Sequence, residues 1–153
     1  MELTPYYDAQ RTLIGAALLA PQIVGEMVQE VREEDFAVPE LRTLYAAIRT
    51  LFLSGRPVDP VVLVAETGSA YEPTVREAIR LTPTAANWRA YARVLHESAA
   101  LRRMQDIGAE LAEAVDIADA RRILVSAEPL MLDRPGIKAQ PIGALLADFL
   151  RRM

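Results

Sequence analysis

Three adjacent carboxylates, Glu33, Glu34 and Asp35, are the first residues along the chain that could do chemistry. Together with a divalent cation they could activate a water for hydrolysis. Such a site needs ligands converging from several elements, and a run of charges on a short connection ordinarily faces water. His96 is the only histidine, with Arg93 and Glu97 beside it in a helical pattern. A metal or general-base site gathers several such groups, so His96 reads as a helix-surface or partly packed side chain. Lys138 is the only lysine and stands between Ile137 and Ala139. A phosphate-binding loop would place a Gly-rich turn before that lysine and a hydroxyl after it, and neither is present. The seven glycines are isolated, so there is no dinucleotide fingerprint. Serines and threonines have no neighbouring histidine to activate them. No catalytic, cofactor-binding or metal-binding residue is assigned.

The remaining chemical candidates concern contact. Arg102-Arg103 and Arg121-Arg122 are basic doublets that suit solvated helix arms, a protein partner or a phosphate. Trp88 and Tyr91 lie three residues apart and read as core packing, with an exposed aromatic anchor as the functional alternative. The net charge is -4, so the phosphate neutralisation that binds nucleic acid is not expected of this chain alone.

Hydrophobic residues make up 52% of the 153 and charged residues 25%, enough apolar material for a core and too little charge for disorder. Abundant Ala and Leu and scarce β-branched runs predict an all-α fold. The absence of cysteine excludes disulfides and fits a reducing cytoplasm. The N-terminus carries Glu2 and Asp8 rather than a basic flank, so no signal peptide is expected. The apolar stretch from Leu13 to Ala20 is too short to span a bilayer.

Punctuation along the chain divides it into helices. Asp8 is the expected cap of a first helix reaching about Ala20, and Pro21 opens a second, Gln22 to Val31. Glu33 to Phe36 reads as a tight connection. Pro39 opens a third helix ending near Ser54, with Gly55 as its stop. Leu41, Leu44, Tyr45, Ile48, Leu51 and Phe52 are its expected buried face. Asp59 and Pro60 start a short helix to Glu66, Thr67 to Tyr71 is a loop, and Pro73 starts a helix to about Leu81. Thr82-Pro83-Thr84 breaks the pattern.

The longest periodic stretch runs from Ala85 to about Val115. About 30 helical residues would extend roughly 45 Å, longer than a small globule needs. Val94, Leu101, Gly108 and Val115 fall seven apart, Met104 and Leu111 take the complementary position, and Tyr91 and Leu95 widen the stripe. After a turn at Asp116 to Asp119, with Asp119 as cap, a return helix runs from Ala120 to about Leu132 with Ile123, Leu124 and Ala127 on its apolar side. Pro129 should kink or end it. The expected architecture is a compact helical bundle over 1–84, a helical hairpin over 85–132, and a linker with a linker helix over 133–153. Tyr91, Val94, Leu95, Leu101, Met104, Leu111, Val115, Ile123, Leu124 and Ala127 form the expected self-association seam. Ile142, Leu145, Leu146 and Phe149 lie on one face of a last amphipathic helix that starts at Pro141.

Several stretches resemble the N-terminal, or collar, domain of DnaB-type replicative DNA helicases. Asp8 to Pro21 is similar to the opening helix of that family. Asp35-Phe36 followed by Leu41-Arg42-Thr43-Leu44-Tyr45-Ala46-Ala47-Ile48 resembles its D-F-x-x-x-x-H-R-x-I-F/Y-x-A-I, with Leu41 in place of the family's histidine. Gly55 to Asp59 resembles its G-x-P-x-D. The sharpest match is Thr82 to Leu95, TPTAANWRAYARVL, to T-P-S-A-A-N-x-x-x-Y-A-x-I-V. Leu101-Arg102-Arg103 stands where the family has L-R-R. The stretch between Glu66 and Leu81 is shorter than usual and lacks the G-G-x-x-Y-L signature.

That resemblance implies a non-catalytic domain that self-associates as a homodimer or higher oligomer through paired hairpins and docks primase and a helicase loader. It implies a cytoplasmic protein, no membrane partner, and ATP and magnesium only in a separate motor domain. Residues from Pro141 on would then resemble the helix that packs on a neighbour's motor. Three alternatives stay open on sequence: the helicase-binding domain of a primase, a stand-alone phage or mobile-element regulator of a helicase ring, and a small metal-dependent hydrolase using Glu33, Glu34 or Asp35.

Overall fold

The computed structural model describes residues 5–132 and Arg151. Every described element is helical: α1 (Pro5–Leu19), α2 (Val24–Glu30), α3 (Pro39–Leu53), α4 (Pro60–Thr67), α5 (Glu72–Leu81), α6 (Trp88–Ala112) and α7 (Ile117–Leu132), with single 3-10 turns at Pro21–Ile23, Glu33–Asp35 and Ser69–Tyr71. The expected all-α architecture is present. The chain forms two compact units, Met1–Ala99 and Ala100–Met153. The expected linker over 133–153, with Ile142, Leu145, Leu146 and Phe149, lies outside the described residues.

The boundaries follow local chemistry. Asp59 caps α4, its Oδ1 accepting from the amides of Val61 at 2.8 Å and Val62 at 3.2 Å, with Pro60 in the first helical position where no N–H is needed. Gly55 and Gly68 end α3 and α4 with φ of 72° and 110°, a region closed to most side chains. Three expectations need correction. Asp8 is not the cap of α1, because the helix already runs from Pro5; Asp8 sits in its first turn and pairs with Arg11 at 2.6 Å. Asp119 does not cap α7. Asp116 does, accepting the Asp119 amide at 2.7 Å, so the helix begins three residues earlier than expected. Helix α6 is shorter than the periodicity suggests, since Ala85 to Asn87 form a turn and residues 113–116 a second one. Of the two outcomes expected at Pro129, a kink or an end, the end does not occur: α7 continues to Leu132 with the proline inside it.

The first unit has one core. Leu13, Ile14, Ala16 and Ala17 of α1 lie at its centre, against Leu41, Leu44, Tyr45, Ile48 and Leu51 of α3. Phe52 lies on that face as expected but in the last turn of α3, where its ring stands beside Gly25 and stays 39% exposed. Gly15 allows α1 to meet α5 closely: a Cβ there would stand 2.0 Å from Thr82 Oγ1 and 2.4 Å from the Ala78 carbonyl. Tyr45 stacks on Phe36 with ring centroids 4.7 Å apart and donates its hydroxyl to the Val31 carbonyl at 2.6 Å. That bond satisfies a carbonyl at the end of α2, and burial pushes the phenol well above its ordinary pKa.

Gln10 is the polar member of this core. Its Oε1 accepts from the amides of Ala37 at 2.9 Å and Val38 at 3.0 Å. Those residues are extended chain leading into α3, whose cap position is Val38, with no capping side chain of its own. A side chain from α1 therefore supplies what the local sequence lacks.

In the second unit, α6 and α7 form a helical hairpin joined by the turn at 113–116. Ile107, Ile123 and Ala127 are buried together, with Leu111 and Ala114 packed partly against them. The hydrogen bond from Arg122 holds the Asp119 carboxyl below its usual pKa and ties down the start of α7. Among the described residues, no single helix is long and apolar enough to cross a membrane.

Candidate protein-interaction surface

The chemistry considered for Glu33, Glu34 and Asp35 is not assembled. Asp35 is buried rather than solvated, and its Oδ2 accepts the Arg32 amide at 3.0 Å, holding the 3-10 turn. His96 stands beside it, Nδ1 3.7 Å from Oδ2, and is mostly covered. Among the described residues, no group of three His, Cys, Asp or Glu is placed to hold a metal ion. Trp88 is core, as its helical position suggested, and Tyr91 is packed partly against that core. Arg89, next to it, lies over the Trp88 ring and pairs with Glu26. The basic doublets are on helix surfaces, where Arg103 faces Glu110 at 3.9 Å and Arg122 pairs with Asp119.

The ten residues expected to form one seam separate into three sets of three, with Val115 apart from them. Leu95 is fully buried in the core of the first unit, with Tyr91 and Val94 packed against it. Their apolar character serves the body. Ile123 and Ala127, with Leu111, hold the hairpin together. Leu101, Met104 and Leu124 face solvent at 57%, 45% and 51% exposure, so about half of each is left uncovered by its own unit. Val115 is 87% exposed and sits in the turn rather than on a helix.

Two contributors escaped the sequence reading. Ile107 is the buried centre of the hairpin on α6, yet the count of sevens ran through its neighbour Gly108. Ile117 is 68% exposed at the start of α7, seven residues before Leu124. The signal for Ile107 was its spacing of four from Leu111.

Four exposed apolar residues, Leu101, Met104, Ile117 and Leu124, share one flank of the hairpin, whereas Val125, 68% exposed, lies on the side of α7 opposite its buried residues. At about 100° per residue, Leu101, Met104 and Gly108 form a stripe on α6. It lies about a quarter-turn onward, in the chain direction, from the buried stripe of Ile107 and Leu111. On α7, Ile117 and Leu124 lie a similar quarter-turn onward from Ile123 and Ala127. The helices run antiparallel, so equal rotations of one sense turn both stripes to the same flank. The hairpin is thus a two-helix layer with three buried residues inside and an apolar face outside. A layer of that kind needs a cover.

Comparison with known proteins gives this geometry its context. The family model of the DnaB-like helicase N terminal domain matches residues 4–97. Replicative DNA helicase DnaB of Leifsonia xyli subsp. xyli (strain CTCB07) is 32% identical over 124 residues, covering 73% of this chain and 26% of that protein. Its counterpart from Mycobacterium leprae (strain TN) is 31% identical over 127 residues, covering 72% of this chain and 21% of that protein. The chain thus spans about a quarter of the length of these curated relatives. The crystal structure of the N-terminal domain of DnaB helicase from Mycobacterium tuberculosis aligns with a TM-score of 0.69 at 27% identity, over 84% of this chain and 96% of that one. A structure of a DnaB-like replicative helicase, described with its interactions with primase, aligns with a TM-score of 0.68 over 92% of this chain and 35% of that one. At 18% identity, that last likeness is one of fold alone.

Proposed function

This chain belongs to the family of DnaB-like helicase N-terminal domains, and from that premise we propose that it works by contact with other proteins: it pairs with a second copy of itself through the hairpin and docks primase and a loader during DNA replication. The observation that carries the self-association half is the shared apolar flank of α6 and α7, with Leu101, Met104, Ile117 and Leu124 all exposed. Covering such side chains yields about 25 cal/mol per Å2 of apolar area, most of it offset by the entropy of association. The docking half rests on membership of the family, whose fold is shared by a DnaB-like replicative helicase described with its interactions with primase. The absence of cysteine agrees with a cytoplasmic setting.

The chemistry of an ATPase motor has no residues here, since the sequence holds no Gly-rich loop ending in Lys and a hydroxyl. The chain corresponds to the N-terminal domain of such a helicase and contributes contacts rather than catalysis. Sedimentation velocity over a hundredfold concentration range tests the proposal. The apparent mass should climb from monomer towards dimer or a higher oligomer, and a constant monomer mass would refute the self-association.

A further inference from the structure

An exposed glycine in mid-helix weakens its own element. Gly costs a helix roughly fivefold in its folding equilibrium relative to Ala. Four of the five described glycines have a reason within the fold. Gly15 admits α5 at close range, a Cβ on Gly25 would stand 3.2 Å from the Phe52 ring, and Gly55 and Gly68 have positive φ. Gly108 has none of these: among the described residues, nothing lies within 4 Å of the place its Cβ would occupy. It sits inside α6, on the stripe of Leu101 and Met104.

We infer that Gly108 is the point where a helix of a second copy comes closest to the backbone of α6. The inference rests on the self-association proposed above and adds the residue that sets its geometry. Helix axes lie 8 to 10 Å apart according to the side chains between them, and glycine permits the shorter distance. The flank carries its own charge complement, which points to a second copy as occupant. Arg121 and Glu128 are seven residues apart on α7, with Leu124 midway between them. A two-fold axis near Leu124 sets Arg121 of each copy towards Glu128 of the other. On α6 the stripe from Leu101 through Met104 to Gly108 brings no charge to oppose this.

The test is Gly108→Ala and Gly108→Leu, each compared with the parent by sedimentation equilibrium. Self-association should weaken about tenfold for Ala and about a hundredfold for Leu, the range expected from overpacking a close contact. In a Leu101→Asp/Leu124→Asp background, which removes association, Gly108→Ala should instead raise the melting temperature of the helical signal. That opposite sign separates a contact role from a folding defect. Variants that associate as tightly as the parent would overturn the inference and leave self-association standing, provided Leu101→Asp still weakens it. A parent chain that stays monomeric at every concentration would overturn both.

Discussion

Leu101→Asp and Leu124→Asp in one chain should give a folded monomer whose self-association is weaker by about a thousandfold or more. Both side chains are largely exposed within the chain, so the new carboxylates stay hydrated in the monomer and its fold loses little. In a pair of copies the same carboxylates would be covered by apolar surface. A charge buried without a partner costs several kcal/mol, and each assembled pair would carry four of them. Circular dichroism should show an unchanged helical spectrum while sedimentation equilibrium shows a monomer. Leu111→Asp is a different experiment. Leu111 packs partly against Ile107, Ile123 and Ala127, so its charge should loosen the hairpin itself. Leu95→Asp should unfold the body, whose core encloses Leu95 completely. If the double Asp variant associates like the parent, the exposed flank is not the interface.

Gln10→Leu should cost the body about 2–5 kcal/mol, because it leaves the amides of Ala37 and Val38 without their acceptor while keeping the side-chain volume similar. The fold is covered at this point: Gln10 is 1% exposed, which leaves water little access to those amides. Domains of this size are stable by about 5–15 kcal/mol, so a loss of that order moves the urea midpoint substantially. Gln10→Glu keeps an acceptor for both amides and should lose less. Equal losses for the two variants would mean that bulk at this position matters and the bonds to 37 and 38 do not.

Much of the fold was legible in the sequence because helix ends are written in local chemistry. Asp59-Pro60 and Gly55 gave their boundaries within a residue, since a cap and a positive φ need only neighbouring atoms. The α7 start was misplaced because both Asp116 and Asp119 are good caps. Which one is used depends on the reciprocal bonds that Asp119 makes back to Val115 and forward to Arg122. The role of Gln10 was invisible for a deeper reason. Its partners are 27 and 28 residues away, and no pattern along a chain announces a polar side chain that caps another element's approach.

The candidate interaction surface was half legible. Periodicity showed that α6 is apolar along much of its length. It could not show that this helix changes neighbours, entering the core of the body at Leu95 and meeting α7 at Ile107. One stripe of sevens therefore merged residues with three different fates. The quarter-turn between the buried and exposed stripes emerges only when α7 identifies which face of α6 is already covered.

Cross-linking tests the central claim most directly, because the chain has no cysteine and one substitution introduces a unique thiol. Leu101→Cys, Leu124→Cys and, as a control on exposed α4, Val61→Cys would each be treated with a short bis-maleimide at micromolar protein. The hairpin variants should convert to a covalent dimer while Val61→Cys stays monomeric. Equal coupling at all three positions, or none at Leu101 and Leu124, would contradict a hairpin flank that meets its own copy.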